Sequence, residues 1–92
     1  MRVTVRGKRW DLVFSSKGLD KDQDGFCDAP TKTGKSIRVR PNLESERELD
    51  ILIHELTHAG LWDLDEEVVT EFATDLARTL HRLGYRRNPK ES

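Results

Sequence analysis

A single cysteine, Cys27, rules out a disulfide within the chain, so stability has to come from packing, or from packing with a bound ion. Aromatic residues are scarce at 7%, and hydrophobic residues reach only 35% of the 92 positions. That is enough for one modest core and leaves little room for an accessory domain. No stretch approaches the ~20 apolar residues of a membrane-spanning helix. The opening Met1-Arg2-Val3-Thr4-Val5 has no apolar core of the kind that directs export. One thiol without an export signal leads to the expectation of a reducing, cytoplasmic setting. Neither charge is in excess: 16 Lys and Arg against 17 Asp and Glu leave −1, which gives no general attraction to nucleic acid or to an anionic membrane. Basic residues gather at both ends, 2–9 and 82–90, where they read as solvated tails. Repeats and low-complexity segments are missing too.

Hydrophobic periodicity divides the chain into a strand-and-loop part, residues 1–41, and two helices. Val3 and Val5, then Trp10, Leu12 and Phe14, alternate about a break at Gly7-Lys8, the pattern of a hairpin. Residues 15–35, rich in Ser, Gly, Asp and Lys, read as loop. Ser36-Ile37-Arg38-Val39-Arg40 reads as a short edge strand with Ile37 and Val39 on one face, ended by Pro41. Asn42 can cap a helix over 42–60, with Glu44, Glu46 and Glu48 near its positive end and Gly60 as its stop. A second helix over 65–84 is closed by Gly84, and a basic tail occupies 85–92. The first helix has a core stripe of Leu49, Leu52, Ile53 and Leu56, with His54, His58 and Ile51 on a different sector. The second has Val69, Phe72, Ala73, Leu76, Leu80 and Leu83. A short link makes them an antiparallel pair. The expected fold is a single α+β domain over 1–92, a small N-terminal sheet (hairpin plus edge strand) packed on two antiparallel helices.

The first helix carries His54-Glu55-Leu56-Thr57-His58. Positions four apart share a helix face, so both imidazoles can reach one ion while Glu55 projects beside them. Two neutral nitrogens are suitable zinc ligands, and the carboxylate can take a proton from a water the ion activates. Such a site usually has a third protein ligand. No histidine follows at the HExxHxxGxxH spacing, His81 falls late in the second helix, and Cys27 sits on a loop of underivable path. Glu66, Glu67 and Glu71 remain. Glu66 shares an end of the helical pair with His58 and lies about 60° from Val69 on the wheel, toward the core, so it is preferred, with Glu67 as the fallback. A competing role for Glu66 is a capping box with Asp63.

HELTH followed by a glutamate-bearing helix resembles the gluzincin clan of zinc metallopeptidases in its smallest forms. These are the minigluzincins and the short domains related to phage-repressor-cleaving and radiation-response metallopeptidases. The resemblance covers about residues 36–83. It implies a minimal zincin-like fold, His54 and His58 as zinc ligands, Glu55 as general base and acid, and Glu66 as third ligand in an ExxxD/N pattern. The last position of that pattern is Thr70 here, which can accept a hydrogen bond from a ligand histidine but brings no charge. The stretches Gly25-Phe26-Cys27-Asp28-Ala29-Pro30, Ile37-Arg38-Val39 and Leu52-Ile53-His54-Glu55 also resemble small HExxH proteins of phage and bacterial genomes.

These readings lead to an expected zinc-dependent, endopeptidase-type hydrolase acting on a peptide or protein held by strand addition along Ile37, Arg38 and Val39. Arg38, Arg40, His81 and Tyr85 are the candidate electrophiles for the tetrahedral intermediate. Two other classes fit the same residues: a zinc-stabilised interaction module with a protein partner and no catalysis, and a DNA-associated zinc protein of the SprT-like kind, against which the net charge argues. A second ion loop is outlined by Asp20, Asp22, Asp24, Gly25 and Asp28 at calcium-loop positions, but Thr31 stands where a bidentate glutamate is needed. At most weak calcium binding is expected there. Cys27 is expected to be buried, with a place near the metal or at the surface as alternatives.

Overall fold

The computed structural model describes residues 1–88. Its elements are β1 (Arg2–Val5), β2 (Lys8–Phe14), β3 (Gly25–Cys27), β4 (Ser36–Val39), α1 (Ser45–Gly60) and α2 (Glu66–Arg82). A four-stranded mixed sheet lies against a helical pair, an α+β fold. β1 and β2 form the expected hairpin, with Val5 opposite Lys8. Its two-residue turn has positive φ at both Arg6 (48°) and Gly7 (79°), the type I′ geometry whose twist matches the flanking strands. The Arg6 guanidinium donates to Gly60 O at 3.1 Å and fixes the turn to the end of α1.

The strand order is β1-β2-β4-β3, which corrects two expectations. First, residues 15–35 are not wholly loop, because Gly25–Cys27 pairs antiparallel with β4. Three residues opening on glycine give no alternation to read. Second, β4 is not an edge: it pairs with β2 in parallel on one side and with β3 on the other. Ile37 and Val39 are 0% exposed, so Ile37-Arg38-Val39 has no free backbone for a substrate strand. Arg38 instead donates to Lys17 O. A parallel β2–β4 pair needs a crossover connection, and here that crossover delivers β3 to the sheet edge.

The registers Leu12–Ile37–Cys27 and Phe14–Val39–Gly25 put one side of each rung on a common face. That face, with Trp10, packs on Ile51 and Ala59 of α1. Trp10 is fully enclosed and donates its indole N–H to Asp28 O at 3.1 Å. The buried Asp28 carboxylate accepts from Ser36 N–H (2.9 Å) and Lys32 Nζ (3.1 Å), tying the end of β3 to the start of β4.

The helices run antiparallel as expected, shown by the partners Asp50 with Thr74 at 3.1 Å and Glu46 with His81 at 3.5 Å. α1 starts at Ser45 because Asn42 adopts φ 64° and turns the chain after Pro41 instead of capping. Its most buried residues are Glu48, Ile51, Glu55 and Ala59, while Leu49, Leu52, Ile53 and Leu56 are only half-buried. Sheet and α2 cover α1 from two directions, so apolar content alone does not mark its deepest sector. Glu48 is held there by Arg87, whose guanidinium donates at 3.0 and 3.1 Å and stacks 3.9 Å from the centre of the Phe14 ring. Arg87 is therefore no solvated tail residue; residues 89–92, including Lys90, lie outside the described residues. Gly60 does not stop α1 by its conformation. It is the last helical residue, and a Cβ on it would sit 2.9 Å from Val5 Cγ1, so its role is close approach of β1.

α2 packs through Val69, Ala73 and Ala77. The expected stripe is corrected here, since Phe72 is 54%, Leu76 36% and Leu83 69% exposed. Small residues at the contact bring two helix axes close together, and the larger side chains stand off to the side. The helix closes on Gly84 at φ 95°, with Tyr85 N–H donating to Leu80 O at 3.0 Å, a Schellman ending. No described helix is long and apolar enough to cross a membrane.

Candidate metal centre

Four-residue spacing on α1 places the half-buried His54 and His58 rings 4.8 Å apart, with Nε2 of one 3.1 Å from Nε2 of the other. Two ring nitrogens facing each other at that distance need a proton or a cation between them. Glu66, the first residue of α2, brings one carboxylate oxygen to each: Oε1 is 2.8 Å from His54 Nε2 and Oε2 is 2.8 Å from His58 Nε2. For a tetrahedral ion with donor bonds of ~2.0 Å the donor–donor edge is ~3.3 Å, so these separations fit one face of such a site with modest relaxation. Among the described residues this is the only group of three or more His, Cys, Asp and Glu whose ligand atoms converge. Imidazole with carboxylate suits a first-row transition ion better than calcium or magnesium.

Glu66 is thus the glutamate that meets the histidines, but for a different reason from the one its wheel position gave. Its side chain is 69% exposed, so it reaches the pair from the rim and not from the core. It forms no capping box: the α2 N-cap is Asp65, without a side-chain cap bond. Glu67 is exposed and stands outside the group. Thr70 is also exposed, and among the described residues no hydrogen bond joins it to His54 or His58.

Glu55 is different in kind. It is 7% exposed on the sheet side of α1, and its carboxyl is pushed up to about 7, first by burial and then by the negative charge of Glu66. β3 passes so close that a Cβ on Gly25 would lie 2.8 Å from Glu55 Oε2. Glu55, the two histidines and Glu66 line one open cleft of about 430 Å³. Cys27 lines it too, yet its buried thiol donates to Asp28 O at 3.3 Å and is pushed up to about 12 by burial, then by Glu55 and Asp28. Its sulfur stands outside the converging His54–His58–Glu66 group.

None of the anticipated electrophiles lines this cleft. Arg38 holds Lys17 O, Arg40 holds Gln23 O and Asp24, His81 lies at the far end of the helices on Glu46, and Tyr85 is exposed beyond α2. The cleft walls come instead from Gln23, Phe26, Trp62 and Leu64, with the Trp62 ring 6.2 Å from that of His58. Sequence reasoning passed over all four. The one signal for them was an indole in the link between two polar helix ends. The carboxylates of the acidic loop do not converge on one point: Asp24 is ion-paired with Arg40 (3.3 Å) and Arg47 (3.0 Å), and Asp28 with Lys32. Compared with models of protein families, with curated proteins and with solved structures, the chain matches none.

Proposed function

We propose that the chain is a zinc-dependent hydrolase of the metallopeptidase type, a minimal relative of the gluzincins, acting on a peptide or protein. The observation that carries this reading is the convergence of His54, His58 and Glu66 next to a buried Glu55 whose carboxyl lies near neutrality. A zinc ion held by these three residues would polarise a carbonyl and lower the pKa of a water. Glu55 then takes the proton of the attacking water and returns it to the leaving amine, a task suited to a group that titrates near the working pH. N–H donors for the developing oxyanion are available on Gln23 and Trp62, both at the cleft wall. β3, paired on one side only and next to the cleft, takes the role first given to β4: an extended peptide can add along Gly25-Phe26-Cys27. The exposed Glu66 and the open cleft favour this over a closed structural site, which would enclose its ion with four ligands.

The test is a peptide-library digest by the zinc-loaded protein, alongside Glu55→Gln and His58→Ala. Glu55→Gln is expected to keep zinc and fold while losing turnover by at least ~100-fold, and His58→Ala to lose stoichiometric zinc. Cleavage that survives Glu55→Gln refutes the mechanism. Zinc retained in full by His58→Ala refutes the site.

A further inference from the structure

α2 carries two apolar strips, and the described residues cover only one of them. Val69, Ala73 and Ala77 meet α1. Val68, Phe72, Leu76 and Leu83 form the second, with exposures of 48, 54, 36 and 69%. Their spacing keeps them within roughly 80° of one another on the helix wheel. A continuous exposed strip of large side chains on a small protein marks a contact surface.

The charges beside the strip indicate what it contacts. On the wheel, Glu71, Asp75, Arg78 and Arg82 fall on one flank, roughly 60–120° from Phe72, and the other flank turns toward α1. All four are exposed. The acids occupy the first half of α2 and the bases the second. Two helices related by a two-fold axis and running antiparallel bring the same flank of each face to face, reversed in direction. Glu71 then stands opposite Arg82 and Asp75 opposite Arg78, both pairs centred on one point between Leu76 and Ala77. Leu76 meets its own copy at that point, and Val68 meets the region of Leu83 and Tyr85. Parallel pairing would set this flank of one helix against the opposite flank of the other, the side that turns toward α1, and none of these charges would find a partner. We infer that the second strip is the interface of a homodimer, formed by antiparallel packing of α2 against α2 of another copy. Glu66 sits about 120° around the helix from Phe72, so the metal cleft stays open in such a dimer.

Sedimentation equilibrium of the full chain tests this. The wild type should show a mass approaching twice its 10.6 kDa as concentration rises, and should loosen with added salt. Phe72→Glu should remain monomeric while keeping its circular dichroism and its metal affinity. Glu71→Arg and Arg82→Glu, each placing like charges in contact twice per dimer, should weaken association about tenfold apiece. The double exchange should restore it, a recovery that a folding defect would not give. A wild type monomeric up to ~1 mM overturns the inference and leaves the strip to a different polypeptide. A dimer that the double exchange fails to restore overturns the antiparallel arrangement.

Discussion

Replacing Gly25 by alanine should damage this protein more than any other single added methyl group. An ideal Cβ there would lie 2.5 Å from Ile51 Cγ2, 2.8 Å from Glu55 Oε2 and 3.0 Å from Glu55 Cγ. Ile51 cannot swing clear, and Glu55 can do so only by leaving its buried position. Both are 7% exposed, and a β-branched residue on a helix has essentially one χ1 rotamer. Either β3 lifts from α1 or Glu55 turns out of its pocket. Overpacking of this kind costs ~1–3 kcal/mol, and a domain of this size loses roughly 4–8 °C in Tm per kcal/mol, so a fall of about 5–20 °C is expected. Thermal unfolding followed by circular dichroism in the presence of a chelator measures the effect without a contribution from the ion. The same variant should keep its metal affinity, since His54, His58 and Glu66 are not among the atoms the new methyl meets, while turnover falls with the displacement of Glu55. Removing Ile51 Cγ2 by Ile51→Ala should make the pair less than additive, because the two residues contest one volume. An unchanged Tm, with strict additivity in the double variant, would refute the close approach of β3 to α1.

Other expectations follow from individual contacts. Glu66→Gln should weaken metal binding by at least ~100-fold, beyond what loss of a supporting hydrogen bond usually costs, and Glu67→Gln should leave it unchanged; competition with a chromogenic chelator ranks them. Burial alone would raise the Asp28 carboxyl, but the Ser36 N–H, the Lys32 ammonium and the Ser36 hydroxyl together hold it below its ordinary value near 3.8. A carboxyl lowered by folding stabilises above its unfolded pKa and loses that contribution as pH falls through the folded one. Asp28→Asn should therefore be destabilised at pH 7, and the gap to wild type should close on acidification below about pH 4, read from urea midpoints across pH. Arg87→Ala leaves the 11%-exposed Glu48 carboxylate unpaired and uncovers Phe14. Because Arg87 is itself partly exposed the cost should be about 2 kcal/mol, less than for a fully buried pair, and joint replacement of Glu48 and Arg87 by leucine should recover most of it.

The parts of this fold legible in the sequence are those where one local rule decides. Val3 to Phe14 alternates about a turn and is a hairpin; Gly84 ends α2; His54 and His58 face the same way because four residues make about one helical turn. The parts that were not legible depend on partners distant in the chain. β3 is three residues long, and its strand character comes from pairing with β4. That pairing also moved the free edge from Ile37-Arg38-Val39 to Gly25-Phe26-Cys27. On α2 the wheel treats Phe72 and Ala73 as one apolar stripe, but close helix packing selects the smaller side chain for the contact. Arg87 looked like one more charge in a basic tail until the chain folded back to place it on Glu48. In the candidate site, the shared face of His54 and His58 was visible from spacing, whereas Glu66 arrives from the exposed rim and not from the core side, and the wall residues Gln23, Phe26, Trp62 and Leu64 were not visible, because nothing local brings them together.

The position of β3 also separates the assembly of the centre into two stages. His54, His58 and Glu66 belong to one helical hairpin, so closing a short loop is enough to bring them together, and such closures are fast and entropically cheap. The enclosure of Glu55 waits for the Gly25–Cys27 segment to arrive from far upstream and zip onto β4. Convergence of the three candidate ligands is thus a local event in folding, and the burial that raises the Glu55 carboxyl is a late, long-range one. A chain weakened anywhere in its sheet should keep His54, His58 and Glu66 together after it has lost the enclosure that lifts the Glu55 carboxyl toward neutrality.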